Sequence, residues 1–170
     1  MPIEWKLAHL TPSYKDKGSK SDINNYRPLS VLSPIAKVYE SLLAKRITNY
    51  FEINNLFNKS QFGFRNGLSC ELALNTYVEK IRNNIDNNEH SISMILDLSK
   101  AFDTINHEIL LAKLKKYKFS NSALNLIKNY LSDRTIRVNI DKTLSKTEFL
   151  NVGVLQRNFV GSIIIYNLFK

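Results

Sequence analysis

The chain has 170 residues, with 24 basic and 15 acidic side chains and a formal charge of +9. At 44% hydrophobic and 23% charged, with five glycines and four prolines, it is neither disordered nor collagen-like nor of low complexity. Its length fits one domain, or one lobe of something larger. A single cysteine, Cys70, excludes an internal disulfide framework and a cysteine-based zinc site. No apolar run approaches the roughly 18–20 residues needed to cross a bilayer. The start, Met1 to Lys6, lacks a basic segment followed by an apolar one, so no signal peptide is visible. These features point to a soluble intracellular chain, in cytoplasm or nucleus, with no membrane partner. The excess of positive charge suits a polyanionic partner such as a phosphate backbone, although many basic proteins bind no nucleic acid.

Residues 11–30 read as a loop with a basic centre, in which Pro28 biases Arg27 toward extended geometry. A first helix is predicted from Ser33 as cap and Pro34 as first residue to about Phe51, with Ile35, Val38, Leu42 and Leu43 as its apolar stripe. Ser60 to Gly67 is an irregular glycine-rich turn. Ser69 then caps a second helix, along which Leu74, Val78, Ile81 and Ile85 recur at helical spacing, and which frays at Asn83 to Asn88. Ser91 to Leu96 changes to a period of two and predicts a strand ending at Asp97. Helices near 106–117 and 122–131 follow, then a hairpin of 134–140 against 147–152 around Asp141-Lys142. The last stretch begins as a loop and turns apolar at Ile163 to Ile165. This order of helices, strand, helices and hairpin predicts an α+β fold.

The sharpest local feature is the apolar run that ends in Asp97, followed by Leu98-Ser99-Lys100-Ala101-Phe102-Asp103. A carboxylate at a strand end sits at a sheet rim. With the Leu98 main-chain carbonyl it offers hard oxygen ligands for Mg²⁺. On the residues alone a turn residue or helix cap is the stronger reading of Asp97. For Asp103, a cap of the helix near 106 and a functional role stand level. A Mg²⁺-dependent phosphatase would need a second acid two residues after its nucleophilic aspartate, and Ser99 stands there.

Taken together, these segments resemble the reverse transcriptase domain of non-LTR (LINE-type) retrotransposons, from about Trp5 to Leu168. Asn24 to Ser30 resembles the family's NYRPIS segment, and Gln61 to Ser69 its QFGFRxGxS segment. Leu96 to His107 is similar to the LDLSKAFDxxxH block that houses the first catalytic aspartate, and Leu131 to Arg134 lies in a YLxxR element. Four segments in this order and spacing carry the resemblance.

The resemblance implies a right-hand polymerase architecture, with fingers over 1–90 and part of a palm over 91–170, the palm sheet being incomplete. It implies RNA-templated DNA synthesis by two-metal chemistry, with Mg²⁺ or Mn²⁺ as cofactor and an RNA template, a DNA primer and dNTP as partners. Asp97 matches the catalytic metal-binding aspartate, with the Leu98 carbonyl beside it. Phe102 matches the ring beneath the incoming sugar that excludes a 2′-hydroxyl; unaided, the residues would make it a core aromatic. Arg27 matches a triphosphate contact, since a planar guanidinium can make paired bonds to phosphate. Arg65 either organises its loop or touches the template backbone. Lys15 and Lys17 are candidate nucleic-acid contacts, although loop lysines are more often merely solvated. His107 reads as helix-entry packing.

The family's next motif, GVPQGSxLGP, reads here Gly153-Val154-Leu155-Gln156-Arg157-Asn158-Phe159-Val160-Gly161-Ser162. Gln156 survives as a nucleotide-site candidate; both prolines and the middle glycine are replaced, and Arg157 stands where a glycine would allow close approach. The paired-aspartate hairpin does not occur within the 170 residues. The expectations are therefore a decayed or truncated element copy whose isolated chain does not polymerise DNA, or a non-catalytic basic remnant that binds RNA or DNA. An open reading frame with no role is the third alternative.

Overall fold

Four capping side chains start the four helices of the computed structural model, which describes residues 1–97, 101–141 and 143–155. Ser33 Oγ accepts from the Ala36 N–H (3.2 Å) and opens α1, Pro34–Ile53. Ser69 does the same for Leu72 at α2, Cys70–Asp86. Asn106 Oδ1 accepts from both Glu108 and Ile109 at α3, His107–Lys116. Ser120 caps α4, Asn121–Leu131. Each satisfies donors that a helix start leaves unpaired. These helices lie where the capping and spacing signals put them. No helix among the described residues is long and apolar enough to cross a membrane.

The strands depart further from expectation. Residues 11–30 are not one loop: β1 (Leu7–Tyr14) and β2 (Tyr26–Val31) pair antiparallel, His9 opposite Val31 and Tyr14 opposite Tyr26. Prolines masked this hairpin, because Pro12 faces Pro28 across it. Neither can donate to a ladder, and both are tolerated because β2 is an edge strand and β1 pairs with its other neighbour only from Leu7 to Leu10. That neighbour is β3 (Thr135–Ile140), parallel to β1 with Ala8 opposite Ile136. The predicted C-terminal hairpin is present: β3 pairs antiparallel with β4 (Thr143–Leu144) and β5 (Glu148–Phe149). Between these short strands Ser145 Oγ accepts the Val138 N–H at 2.9 Å and replaces a ladder bond. The sheet order is β2-β1-β3-β4, with β5 also on β3. Helices plus one mixed sheet make the described part an α/β mixture.

Of the stripe predicted for helix α1 only Leu43 is buried. Ile35, Val38 and Leu42 are more than half exposed, whereas Ala36, Glu40, Leu43, Ala44, Ile47 and Phe51 face inward. Both sets keep helical spacing; α3 and α4 select the second, which ends in the bulky Phe51. Phe51 stacks within 5.2 Å of both Phe57 and Tyr117 and joins Leu110, Leu114 and Ile127 in the larger core. Burying such a side chain stabilises the fold by about 2–3 kcal/mol. Tyr50 Oη donates to the Tyr117 carbonyl (2.9 Å), satisfying an acceptor at the end of α3. A smaller cluster of Ala8, Leu32, Ala36 and Leu155 seals the sheet against α1.

Helix α2 buries none of its residues, and its predicted stripe, including Leu74, Val78 and Ile85, stays open. Ser91 to Leu96, predicted as a strand, joins no ladder among the described residues. Ile92 is 97% and Ile95 93% exposed. An alternating segment becomes a strand only where a neighbour completes its hydrogen bonds, and none of the described strands lies beside it. The predicted apolar stretch at Ile163 to Ile165 lies outside the described residues.

One polar knot lies inside this apolar frame. Tyr130 Oη donates to Glu40 Oε1 at 2.7 Å, Arg134 Nη2 approaches the same oxygen at 3.4 Å, and Arg134 Nη1 donates to the Tyr130 carbonyl at 3.1 Å. The guanidinium sits 4.7 Å from the Tyr130 ring centre, and Arg134 is only 3% exposed. Burial pushes the Glu40 carboxyl above the usual glutamate range, against the opposing pull of Tyr130 and Arg134.

Glu40→Ala is expected to destabilise the chain by about 3–5 kcal/mol in urea or thermal unfolding, because it strands a buried guanidinium. The raised folded pKa means that the folded state holds this proton more tightly than the unfolded state does. The Glu40 contribution is therefore full below the ordinary glutamate pKa and is lost as pH rises from there through the raised value. Glu40→Gln should abolish that negative slope; an unchanged slope would assign it to another group.

Candidate functional site

The basic loop between β1 and β2 is tightly stitched. Tyr14 Oη donates to the Gly18 carbonyl, Asn25 Nδ2 to the Ser19 carbonyl (2.8 Å) and Tyr26 Oη to the Lys20 carbonyl (2.9 Å). The Tyr14 and Tyr26 rings lie 5.5 Å apart and Lys20 Nζ lies 5.7 Å from the Tyr14 ring centre. Gly18, with φ +81°, meets Asn25 so closely that a Cβ would fall 2.5 Å from Nδ2. Two candidates remain open on this frame: Lys17 and Arg27 are exposed and make no ion pair or side-chain hydrogen bond among the described residues. Lys15 is partly committed, since its Nζ donates to the Asn24 carbonyl at 2.6 Å.

The two readings of Arg65 separate here. Its Nε and Nη2 donate to the two oxygens of Glu52 on α1, at 3.1 and 2.9 Å, while Nη1 reaches the Asn58 carbonyl at 3.3 Å. Its guanidinium also lies 5.0 Å from the Phe57 ring centre. The Glu52 bonds hold its pKa above the ordinary arginine value. Arg65 thus ties the glycine-rich turn to the end of α1.

Residues 91–97 run beside α2, held by Asn84 donating to Ser91 Oγ (2.9 Å) and by the Tyr77 hydroxyl on Ser93. At the end of this segment Asp97 is exposed. It neither caps a helix nor pairs with a cation among the described residues. Leu98, with the carbonyl expected to assist it, lies outside them, as does Gln156. Asp103 does not cap α3, because Asn106 holds both amides there.

The next turn meets a segment 50 residues away. Phe102 is half-buried against the larger core, and its carbonyl accepts the Val154 N–H at 2.8 Å. The Gly153 N–H donates to the Ile105 carbonyl at 2.9 Å, and His107 Nε2 lies 2.7 Å from the Gly153 carbonyl oxygen. Gly153 has φ +83°, and a Cβ there would stand 2.8 Å from the carbonyl oxygens of Phe102 and Asp103. Only glycine fits. The turn from Phe102 to His107 and the start of the degraded motif are therefore physically joined. Sequence reasoning gave His107 a packing role and missed its bond to Gly153; the histidine–glycine pair had no local signal, because its members are 46 positions apart.

The donor set is small for metal chemistry. Among the described residues no three His, Cys, Asp or Glu side chains gather where they could hold an ion. Asp97 and Asp103 both expose their carboxylates, and neither belongs to a cluster of three such donors among the described residues.

Comparison with known proteins places this arrangement. Residues 15–169 match the family described as reverse transcriptase (RNA-dependent DNA polymerase). The chain is 29% identical over 168 residues to the probable RNA-directed DNA polymerase from transposon BS of Drosophila melanogaster, covering 99% of this chain. It is 32% identical over 163 residues, 96% of the chain, to that of the X-element from the same fly. To the RNA-directed DNA polymerase of the mobile element jockey, also from this fly, it is 29% identical over 168 residues. In each case the chain spans 18% of the relative's length. Enzymes of this family work with divalent metal ions on a nucleic-acid template, a primer and nucleotides. With the family match over nearly all of its length and its motif blocks joined in space, the chain belongs to the reverse transcriptase family, as a homologue of the RNA-directed DNA polymerases of non-LTR retrotransposons.

Proposed function

We propose that the chain provides the fingers (1–90) and part of the palm (91–170) of an RNA-directed DNA polymerase. The observation that supports this reading is the hydrogen bond from Val154 to Phe102, which joins the turn after the aspartate to the start of the following motif. Asp97 and the Leu98 carbonyl would hold a divalent ion, Mg²⁺ or Mn²⁺. When bound, such an ion lowers the pKa of a primer hydroxyl and neutralises phosphate charge. Phe102 lies under the incoming sugar, Gln156 near the nascent pair, and Arg27 grips triphosphate through paired hydrogen bonds. Lys15 and Lys17 meet the nucleic-acid backbone, and Arg65 serves the loop. The compartment is intracellular, cytoplasm or nucleus.

On this reading the 170-residue chain by itself does not polymerise, because the described residues gather no cluster of three metal-binding side chains to compensate the phosphate charge. A second reading, a non-catalytic binder of RNA or hybrid, is favoured by the rigid loop with its free cations, which suits backbone recognition without base readout.

Purified chain with primed template and Mg²⁺ or Mn²⁺ should give no extension product; template-directed product would refute the incomplete site. Binding to an RNA–DNA hybrid should weaken with salt, and replacing Lys17 or Arg27 by Ala should reduce the logarithmic salt slope by about 1 each. Arg65→Ala should lower the unfolding midpoint and leave that slope unchanged. A slope insensitive to Lys17 and Arg27 would move the nucleic acid elsewhere.

A further inference from the structure

We propose that His107 is a positioning residue for nucleotide selection: its Nε2–H holds the Gly153 carbonyl and thereby seats residues 153–155 against the Phe102–Asp103 turn. The proposal rests on the reading of Phe102 as the ring beneath the sugar.

Among the described residues, hydrogen bonds of two kinds fasten the Gly153 segment to the turn. Those from Gly153 to Ile105 and from Val154 to Phe102 are made by main chain alone. That from His107 to Gly153, at 2.7 Å, is made by a side chain. A carbonyl oxygen only accepts, so the ring carries a proton on Nε2. Its base is fixed, because His107 is the first residue of α3, directly after the Asn106 cap.

The fit leaves no slack. The left-handed Gly153 stands so near the Phe102 and Asp103 carbonyls that a methyl group cannot enter. Beyond it Val154 is 5% exposed within the larger core, beside Ile105 and Leu110. Glycine is also the residue about which the segment turns most freely. Without His107, the Gly153 carbonyl loses its side-chain restraint and the N–H bond to Ile105 remains. Rotation there loosens the Val154 bond to the Phe102 carbonyl, and with it the depth at which the Phe102 ring is held. A ring that discriminates a hydrogen from a hydroxyl must be held to a fraction of an ångström. His107 thus couples α3 to the selecting ring without touching the nucleotide.

The test uses the full chain with Mn²⁺ and fluorescent deoxy- and ribonucleoside triphosphates, together with amide hydrogen exchange at Gly153 and Val154. Wild type should prefer the deoxy form. His107→Ala should lose about fivefold of that preference, the equivalent of one net hydrogen bond, and speed exchange at both amides. His107→Gln, which restores an N–H at similar reach, should recover both. Weakening of both nucleotides by the same factor, with the preference kept, would make His107 merely structural and overturn the proposal. Gly153→Ala, which drives the segment off by collision, should lose the preference with His107 intact; a preference that survives it also overturns the proposal. If wild type binds neither nucleotide, the nucleotide-site reading itself falls and selection by His107 falls with it. Amide exchange unchanged in His107→Ala would separately refute the latch.

Discussion

A buried charge that cannot be left alone holds the described fold together. Glu40 enters the interior on α1 and meets partners from much later in the chain: Tyr130 at the end of α4 and Arg134 just before β3. The knot fixes the angle at which α4 passes into the central strand, and so the register of β3 beside β1. Lys6, 4% exposed, reaches Asp133 at 3.8 Å from the opposite side, which adds a contact between the segment before β1 and the same corner. Apolar packing alone would accept several positions of α4 on α1; the polar partners accept few. Breaking such a pair costs more than forming it contributes, so its force is mainly on specificity.

That corner determines where the chemistry-bearing blocks lie. Once α3 and α4 are packed on α1, the turn at Phe102 is held at the edge of the larger core and the chain returning from β5 passes over it. Gly153 is the residue that lets two backbones approach this closely. The pairing of a half-buried aromatic ring with a conformationally permissive residue is thus an outcome of the core. The polar surface at β1–β2 is built separately, by tyrosine hydroxyls on loop carbonyls rather than by burial.

Local signals were legible wherever a short side chain states a boundary. Ser33 and Ser69 announce their helices whether or not anything packs on them, and α2 forms with none of its residues buried. The caps of α3 and α4, Asn106 and Ser120, were not read, and Asp103 stood as the candidate for the former. What depends on distant partners was not legible. The prolines at 12 and 28 look like loop residues until one is placed opposite the other at a sheet edge. The stripe Ile35, Val38, Leu42 is as regular as the buried one, and only Phe51 and its aromatic neighbours decide between them. Conversely Ser91 to Leu96 has a strand's alternation and no described neighbour to pair with. For the candidate site, the family motifs marked Asp97, Phe102 and Arg65 as special, but the Arg65 role became distinguishable only with Glu52 beside it. His107 needed the fold to supply Gly153.

Residues 91–96 contain no proline and no charge, and their apolar side chains Ile92, Met94, Ile95 and Leu96 are all exposed. A stretch of that composition, with main-chain groups unengaged by any described strand, is a template for growth between molecules. The charge that closes it belongs to Asp97, which therefore acts as a gatekeeper against intermolecular stacking, independently of the metal role proposed for it. Neutralising this carboxylate extends the sticky strip by one position, so self-association must be measured alongside any lost function in that variant.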